Sequence, residues 1–385
     1  MNNTIFIHIA AYRDPELIPT INNALEKAKN PNRLSFGICL QETQIYYNNF
    51  PYLNDKRFRI FYVPFKQSKG CCWARNKADS LYRNENYILQ LDSHHRFIQD
   101  WDIVLIDYLN KCPSKKSILS TYVNPYEPGG INDKISNDKI PCRMIADKFN
   151  NKLVLFRPTY VFESGLMNDR PQPTMFLSGH FVFTYGQWKK EIPYDPNIYF
   201  TGEEHSLAAR SFTHGWDIYY PPRPIIFHMY TRKGRVKQWD DNKEWWKLDR
   251  TSRKRVINLL VNKINLGIYG LGKVRSMDEY QKLSGINYKT GTLSSYAKQG
   301  LPNYKAKLYI TPKTKFHTHD YKLWIEHNGS TKFQFQVISH EPDKILLRDP
   351  QRNIDISLEP SQCKWKKSDQ NKWNLLDYGT YIYNC

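Results

Sequence analysis

Short apolar runs alternate with polar stretches of helical spacing through the first third of the chain, and this rhythm restricts the fold more than any other feature. Residues 5–10, 34–40, 58–63 and 87–91 read as strands. Residues 15–28, 72–83 and 101–110 read as helices, with Asp14 placed to cap the first ahead of Pro15. Strands and helices in this alternation predict a parallel sheet with helices on its faces. Ligands of such sheets bind beyond the carboxyl ends of the strands, and Asp92 stands at one such end. Strand signals return at 153–156, 181–184 and 225–228, and helical ones at 203–214 and 243–262. From residue 303 the texture changes to short strand-like runs at 307–310, 321–327, 332–339, 344–347 and 354–358, separated by turn residues. The expected architecture is an α/β domain over residues 1–302 and a small all-β module over 303–385.

The 385 residues carry a formal net charge of +19, which points to acidic partners: nucleotide phosphates, an anionic membrane surface, nucleic acid or an acidic polysaccharide. The chain lacks zinc-finger spacings and ribonucleoprotein signatures, and its basic residues are spread throughout, so nucleic acid is not expected. Aromatic residues make up 15%, and packing takes the larger share of them, ahead of sugar or partner surfaces. No run of about 18 apolar residues is present to span a membrane. The opening apolar segment reads as a buried strand rather than a signal peptide. Seven cysteines without paired spacing argue against a disulfide framework. The expected location is the cytoplasm, with peripheral attachment to the inner membrane face left open.

The sharpest local feature is Leu91-Asp92-Ser93-His94-His95-Arg96. In an extended segment Asp92 and His94 point to the same side, because side chains alternate with period 2. One carboxylate and one imidazole form part of a divalent-cation site, and mixed oxygen and nitrogen donors favour Mn²⁺ over Mg²⁺. A bound cation is what a departing nucleoside diphosphate needs to neutralise its charge. The alternative is an ordinary turn with a capping aspartate. His228, at the end of its own apolar run, is the candidate third ligand, meeting the first two across the sheet. Tyr230, Arg232, Lys233 and Arg235 follow as a cationic loop able to clamp phosphates, or a solvated basic loop. Arg75 lies near the start of a helix, where backbone N–H groups also favour an anion. Glu203 and Glu204 open another helix. Adjacent on a helix, they point in different directions, so one of them is expected to face the site. That one would orient or deprotonate an acceptor hydroxyl or hold donor-sugar hydroxyls; the alternative is complementing the helix dipole.

Eight segments occur in a fixed order. They are Ala10-Ala-Tyr-Arg-Asp14, Gly70-Cys-Cys-Trp-Ala-Arg-Asn76, Gln90-Leu-Asp-Ser-His-His-Arg-Phe97 and Ile192-Pro-Tyr-Asp-Pro196. Phe200-Thr-Gly-Glu-Glu204, Ile226-Phe-His-Met-Tyr-Thr-Arg232, Leu248-Asp-Arg-Thr-Ser-Arg-Lys-Arg255 and Gly270-Leu-Gly-Lys-Val-Arg-Ser-Met-Asp-Glu-Tyr280 complete the series. The set resembles the cytoplasmic hydroxyproline N-acetylglucosaminyltransferases and their bacterial relatives. More distantly it is similar to the polypeptide N-acetylgalactosaminyltransferases, which also use an Asp-x-His motif. The resemblance covers roughly residues 3 to 286. It implies a GT-A (Rossmann-like) catalytic fold, a UDP-N-acetylhexosamine donor, Mn²⁺ dependence and retention of anomeric configuration. By position it implies Asp92, His94 and His228 as metal ligands and Arg75 at the diphosphate. Ala11, Tyr12, Arg13 and Asp14 would lie around the uridine, with Ser93, Tyr230 and Arg232 also on the UDP-sugar. Glu203 and Glu204 would line the donor-sugar and acceptor side. His95 departs from the pattern and is read as a bystander.

The acceptor implied is a glycan or protein hydroxyl, and the charge tilts the expectation toward an anionic or membrane-proximal one. Two competing readings are a metal-dependent hydrolase built on Asp92, His94 and His228, and a non-catalytic glycan-binding protein presenting the C-terminal module.

Overall fold

A computed structural model describes the protein at residues 3–129, 133–167, 169–231 and 234–383. The first strand, Ile5–Tyr12, is buried on both faces along most of its length, which is why it reads as a nearly continuous apolar run. It sits inside an eight-stranded sheet. The order is Gln172–Thr174, Asp217–Tyr220, Ser117–Ser120, Phe181–Tyr185, Tyr87–Leu91, Ile5–Tyr12, Leu34–Glu42, Phe58–Pro64. Helices Leu17–Lys27 and Trp101–Lys111 bury Leu17, Ile21, Trp101 and Leu105 in one core with Ile5, Ile7 and Ile9. Helix Cys71–Asp79 packs Ala74 and Ala78 with Cys39 and Val63. Helix Glu203–Thr213 joins a further core with Trp188, Tyr194 and Val256.

The expectation of a parallel sheet holds for Tyr87–Leu91, Ile5–Tyr12, Leu34–Glu42 and Phe58–Pro64. The whole sheet is mixed: Phe181–Tyr185 runs antiparallel to both Tyr87–Leu91 and Ser117–Ser120. Among the described residues between Ser120 and Phe181 there is no α-helix to carry a crossover that would return the chain in parallel. The chain forms instead the antiparallel hairpin Cys142–Asn150 and Leu153–Tyr160, turned at Asn151 and Lys152 with φ of 48° and 68°.

Two boundaries differ from expectation for local reasons. The helix read over 72–83 stops at Asp79, and the chain turns to the next strand through Asn84 at φ 67°. Asp14 does not cap the first helix, whose N-cap is Glu16 without a side-chain bond. One Asp14 oxygen accepts from the Glu16 N–H at 3.0 Å, and the other turns toward His94.

Directly after Asp92, the strand His95–Phe97 leaves the main sheet and starts a separate four-stranded one with Ile226–His228, Asn124–Glu127 and Lys134–Ile135. The C-terminal region forms a nine-stranded antiparallel sheet between Leu308 and Ile382, with its own core of Tyr309, Phe316, Trp324, Phe335, Leu347 and Tyr381. Its strands Thr314–His317, Gln362–Lys367, Asn374–Tyr378 and Thr380–Ile382 are short or polar and carry little strand signal. Among the described residues no helix is long and apolar enough to cross a membrane.

Candidate active site

Ile5–Tyr12 and Tyr87–Leu91 are neighbours in the sheet, but the chain leaves the first toward Leu34–Glu42 and returns on the other side. Their carboxyl ends therefore open a crevice where sheet direction reverses, the place ligands occupy in such folds. A cavity of about 950 Å³ lies there.

Alternation along the first strand decides which of its residues reach the cavity. Ala10, Tyr12 and Asp14 line it, whereas Ala11 is buried in the core. Arg13 turns away at φ 46° and ion-pairs with Asp241 at 2.8 Å, the same carboxylate oxygen that Tyr12 Oη donates to at 2.7 Å.

At the end of Tyr87–Leu91, Asp92 Oδ2 lies 3.2 Å from His228 Nε2 and 3.7 Å from His94 Nε2. One ligand atom from each of the three falls within 4.8 Å of the others. His94 Nδ1 donates to Asp14 Oδ2 at 2.7 Å, which turns its Nε2 toward Asp92. Ser93 Oγ donates to the same oxygen at 2.8 Å, and Arg235 approaches it at 3.3 Å. Burial lowers His228 to about 3, which keeps it neutral, the form that binds metal. Burial alone would raise the Asp92 carboxyl, but His228 and the Arg75 guanidinium outweigh it and hold it well below the usual range. A carboxylate and two imidazoles, convergent and with His94 already oriented by a carboxylate behind it, fit a divalent cation.

His228 reaches the other two from the small sheet, not across the main one. Its strand pairs antiparallel with His95–Phe97, with His228 opposite His95. His95 itself is fully buried, its Nδ1 3.2 Å from the Asp92 carbonyl oxygen, and it is not one of the convergent three.

Arg75 is 1% exposed and its guanidinium is committed within the protein. It donates to the Leu91 carbonyl at 3.0 Å and to Asp92 Oδ1 at 2.5 Å, and its Nε lies 3.0 Å from Glu203 Oε1. Beneath it, His8 Nε2 lies 2.8 Å from the Arg75 carbonyl and 2.9 Å from Asp79, which also pairs with the buried Lys189 at 2.6 Å.

Both glutamates line the cavity, where one was expected. The N-terminal end of helix Glu203–Thr213 lies at the cavity, so Gly202, Glu203, Glu204 and His205 all line it. Gly202 enters the helix at φ 101°; a Cβ there would come within 2.6 Å of Val256. Glu203 accepts from Tyr194 Oη at 2.7 Å, and burial raises it despite Arg75. Glu204 accepts from Tyr122 Oη at 2.7 Å and from the Gly179 N–H at 3.0 Å. Burial lifts it from the ordinary 4.5 to about 7.

A raised carboxyl stabilises the fold fully below its unfolded value, and this contribution is lost as pH rises from about 4.5 through about 7. With metal chelated, wild type is expected to lose roughly 1–2 kcal/mol relative to Glu204→Gln between about pH 5 and about pH 8. Urea midpoints of the two proteins at both pH values measure this. A constant gap would mean that Glu204 titrates like an exposed carboxyl.

Tyr230 stands edge-on to His228, 4.4 Å between ring centroids, and donates to the Val123 carbonyl at 2.8 Å. Arg232 and Lys233 lie outside the described residues. His180, unmarked in the sequence reading, stacks on His228 at 4.4 Å and accepts from the Val123 N–H at 3.3 Å. Nothing in the single sequence separates it from any histidine at the start of a strand. Tyr194 did carry a signal, since it belongs to the ordered segment Ile192-Pro-Tyr-Asp-Pro196.

The architecture is a mixed α/β sheet whose carboxyl edge opens over this cavity, with an antiparallel β sheet at the C-terminal end. The glycosyltransferase (GlcNAc) family matches the chain over residues 4–49 and 47–290, and the protein belongs to that family. Among solved structures, GalNAc-T7 with UDP, GalNAc and Mn²⁺ aligns with a TM-score of 0.49 and 12% identity, covering 99% of this chain and 72% of that one. TarS 1–349 of S. aureus with UDP-GlcNAc aligns with a TM-score of 0.41 and 13% identity, covering 66% of each. No curated protein sequence matches the chain.

Proposed function

We propose that this glycosyltransferase is metal-dependent and retaining, and that it moves N-acetylglucosamine from UDP-GlcNAc to a hydroxyl of a glycan or protein. The observation that carries the reading is the convergence of Asp92, His94 and His228 in the wall of a cavity that also takes Tyr12, Glu203 and Glu204. The family to which the chain belongs supports the choice of sugar. Asp92, His94 and His228 would hold Mn²⁺, or Mg²⁺ less readily. When bound, such an ion supplies charge neutralisation at the departing diphosphate.

The protein's own groups do the rest. Asp14 orients His94, and Arg75 aligns Asp92 with Glu203 instead of reaching the phosphates itself. Tyr230 and Arg235 line the cavity beside the cluster, on the side where the diphosphate would lie, with Arg235 held there by the Met229 and Thr231 carbonyls and Asp14. Tyr12 marks the uridine end, with the backbone of Ala11 to Asp14 around the base. Ser93 holds Asp14 in place. Glu203 is engaged by Arg75 and Tyr194, and Glu204 by Tyr122 and Gly179, which favours holding sugar hydroxyls over attack as a nucleophile. Retention then follows from front-face attack, with the leaving phosphate taking the acceptor proton. Residues 1–302 form the catalytic domain and 303–385 an accessory module. The setting is cytoplasmic or at the inner membrane face; the six described cysteines are free thiols, five of them buried.

The test is UDP release from a panel of UDP-sugars with Mn²⁺. Selective release from UDP-GlcNAc, abolished by EDTA, is expected. Absence of release together with absence of Mn²⁺-dependent UDP binding in calorimetry would overturn the reading.

A further inference from the structure

We propose that a basic groove beside the catalytic cavity is the acceptor subsite, and that it takes an anionic glycan chain carrying phosphate or carboxylate groups along its length. The proposal rests on the transferase reading above and names the acceptor class that reading leaves open.

Helix Trp245–Leu260 buries Ser252, Val256, Leu259 and Leu260 against the catalytic domain. The opposite demands of its sequence fall on another face. Trp246, Arg250, Arg253 and Ile257 recur at spacings of three and four, with Asp249 and Lys254 beside them. Across from this face stands the hairpin tip at Asn151 and Lys152, and between them runs a groove of about 520 Å³.

The groove is strongly unbalanced in charge. Its single carboxylate, Asp249, is taken by Arg253 at 2.7 Å. Lys152, Arg250 and Lys254 make no ion pair among the described residues. These three cations line the groove with Trp246, which is 51% exposed and belongs to none of the hydrophobic cores. Lys247 Nζ stands 5.5 Å from the ring centroid, and the remaining exposed indole surface gives a platform for the C–H face of a sugar ring, while the groove's cations give contacts for its acidic substituents. The groove is shallow, but Arg253 lines both it and the catalytic cavity, so a single chain able to pass from one into the other is the favoured occupant. The excess charge of +19 over the whole protein would draw such a chain in.

The groove meets the cavity at the end where an acceptor belongs. Arg253 lines both spaces, and its Nη2 donates to Thr201 Oγ1 at 3.2 Å, two residues before Glu203. A chain lying along the groove therefore enters at Thr201 and Arg253, beside the two glutamates.

The experiment measures binding of the full chain to poly(glycerol phosphate) and to polygalacturonate by tryptophan fluorescence and calorimetry. Neutral dextran and vesicles with anionic lipid serve as comparisons, and Mn²⁺-dependent UDP binding is measured in parallel. Wild type is expected to bind at least one of the two anionic polymers and not dextran. Arg250→Ala/Lys254→Ala is expected to bind about tenfold more weakly, with a shallower salt dependence and unchanged UDP affinity. Trp246→Ala is expected to lose affinity without change in the salt dependence. Equal polymer binding by wild type and the double variant, equal binding of dextran, or binding to the vesicles alone would each overturn the proposal. Loss of UDP binding in wild type with polymer binding intact would instead strike the donor reading, so the two failures are distinguishable.

Discussion

Turnover of UDP-GlcNAc with Mn²⁺ is expected to fall about 10²–10³-fold in the Asp92→Asn variant, with the fold intact. Asparagine keeps the shape of the side chain and removes its charge. Imidazole side chains carry no negative charge, so Asp92 is the only anionic ligand of the three in the proposed site, and its loss weakens the attraction for a dication most. The effect should divide between metal affinity and rate: raising Mn²⁺ restores part of the activity and leaves a deficit at saturation. Calorimetric titration of Mn²⁺ in the presence of UDP, followed by turnover at saturating metal, measures the two parts. Unchanged Mn²⁺ affinity would remove Asp92 from the metal site and with it the main support for metal dependence.

The second large effect is on stability. Arg75→Met is expected to cost about 3–5 kcal/mol, because it leaves two carboxylates, Asp92 and Glu203, facing one another without the cation between them. Arg75 is 1% exposed, so water cannot replace it without opening the helix that carries it. Adding Glu203→Gln to the same protein should recover part of the loss by removing one of the stranded charges, and the double variant should therefore be more stable than the sum of the single changes predicts. Urea denaturation of wild type, both single variants and the double variant gives the coupling. Strict additivity would mean that Arg75 and Glu203 are close in space without being energetically linked.

These two expectations concern one unit. Arg75 holds Asp92 and Glu203 together, and Asp14 holds His94, so the geometry of the cluster depends on groups that need not touch metal or sugar. Substituting such groups is expected to shift the preferred metal and the affinity for it as well as the rate.

How far the chain could be read before folding depended on the range of the interactions involved. Local patterns were legible. The strand Tyr87–Leu91 ending at Asp92, the strand beginning at Ile5, the helix beginning near Trp101 and the change of texture near residue 303 all follow from periodicity and turn chemistry within a few residues. The pairing of Asp92 with His94 was legible for the same reason, since alternation along an extended segment needs no knowledge of the rest of the fold. The family emerged from the order of eight segments, which is itself linear information.

What tertiary structure alone decided is how distant pieces meet. His228 joins Asp92 because a small sheet forms after the main one ends, and His180 stacks on it from the bend just ahead of a strand that runs against its neighbours. Arg75 looks like a phosphate contact in sequence, but burial against Asp92 and Glu203 commits its guanidinium elsewhere. Asp14 looks like a helix cap, yet His94, Ser93 and Arg235 arrive at its free oxygen from up to 221 positions away. Glu203 and Glu204 both face the cavity because the N-terminal end of their helix lies at it, a position set by packing against Val256 and Trp188. The sequence by itself determined the elements and the chemical types at their ends. The direction of each element, and therefore which charges lose their water and find one another, was decided by packing between segments far apart in the chain, because burial and Coulomb attraction act through space and leave no periodic trace along it.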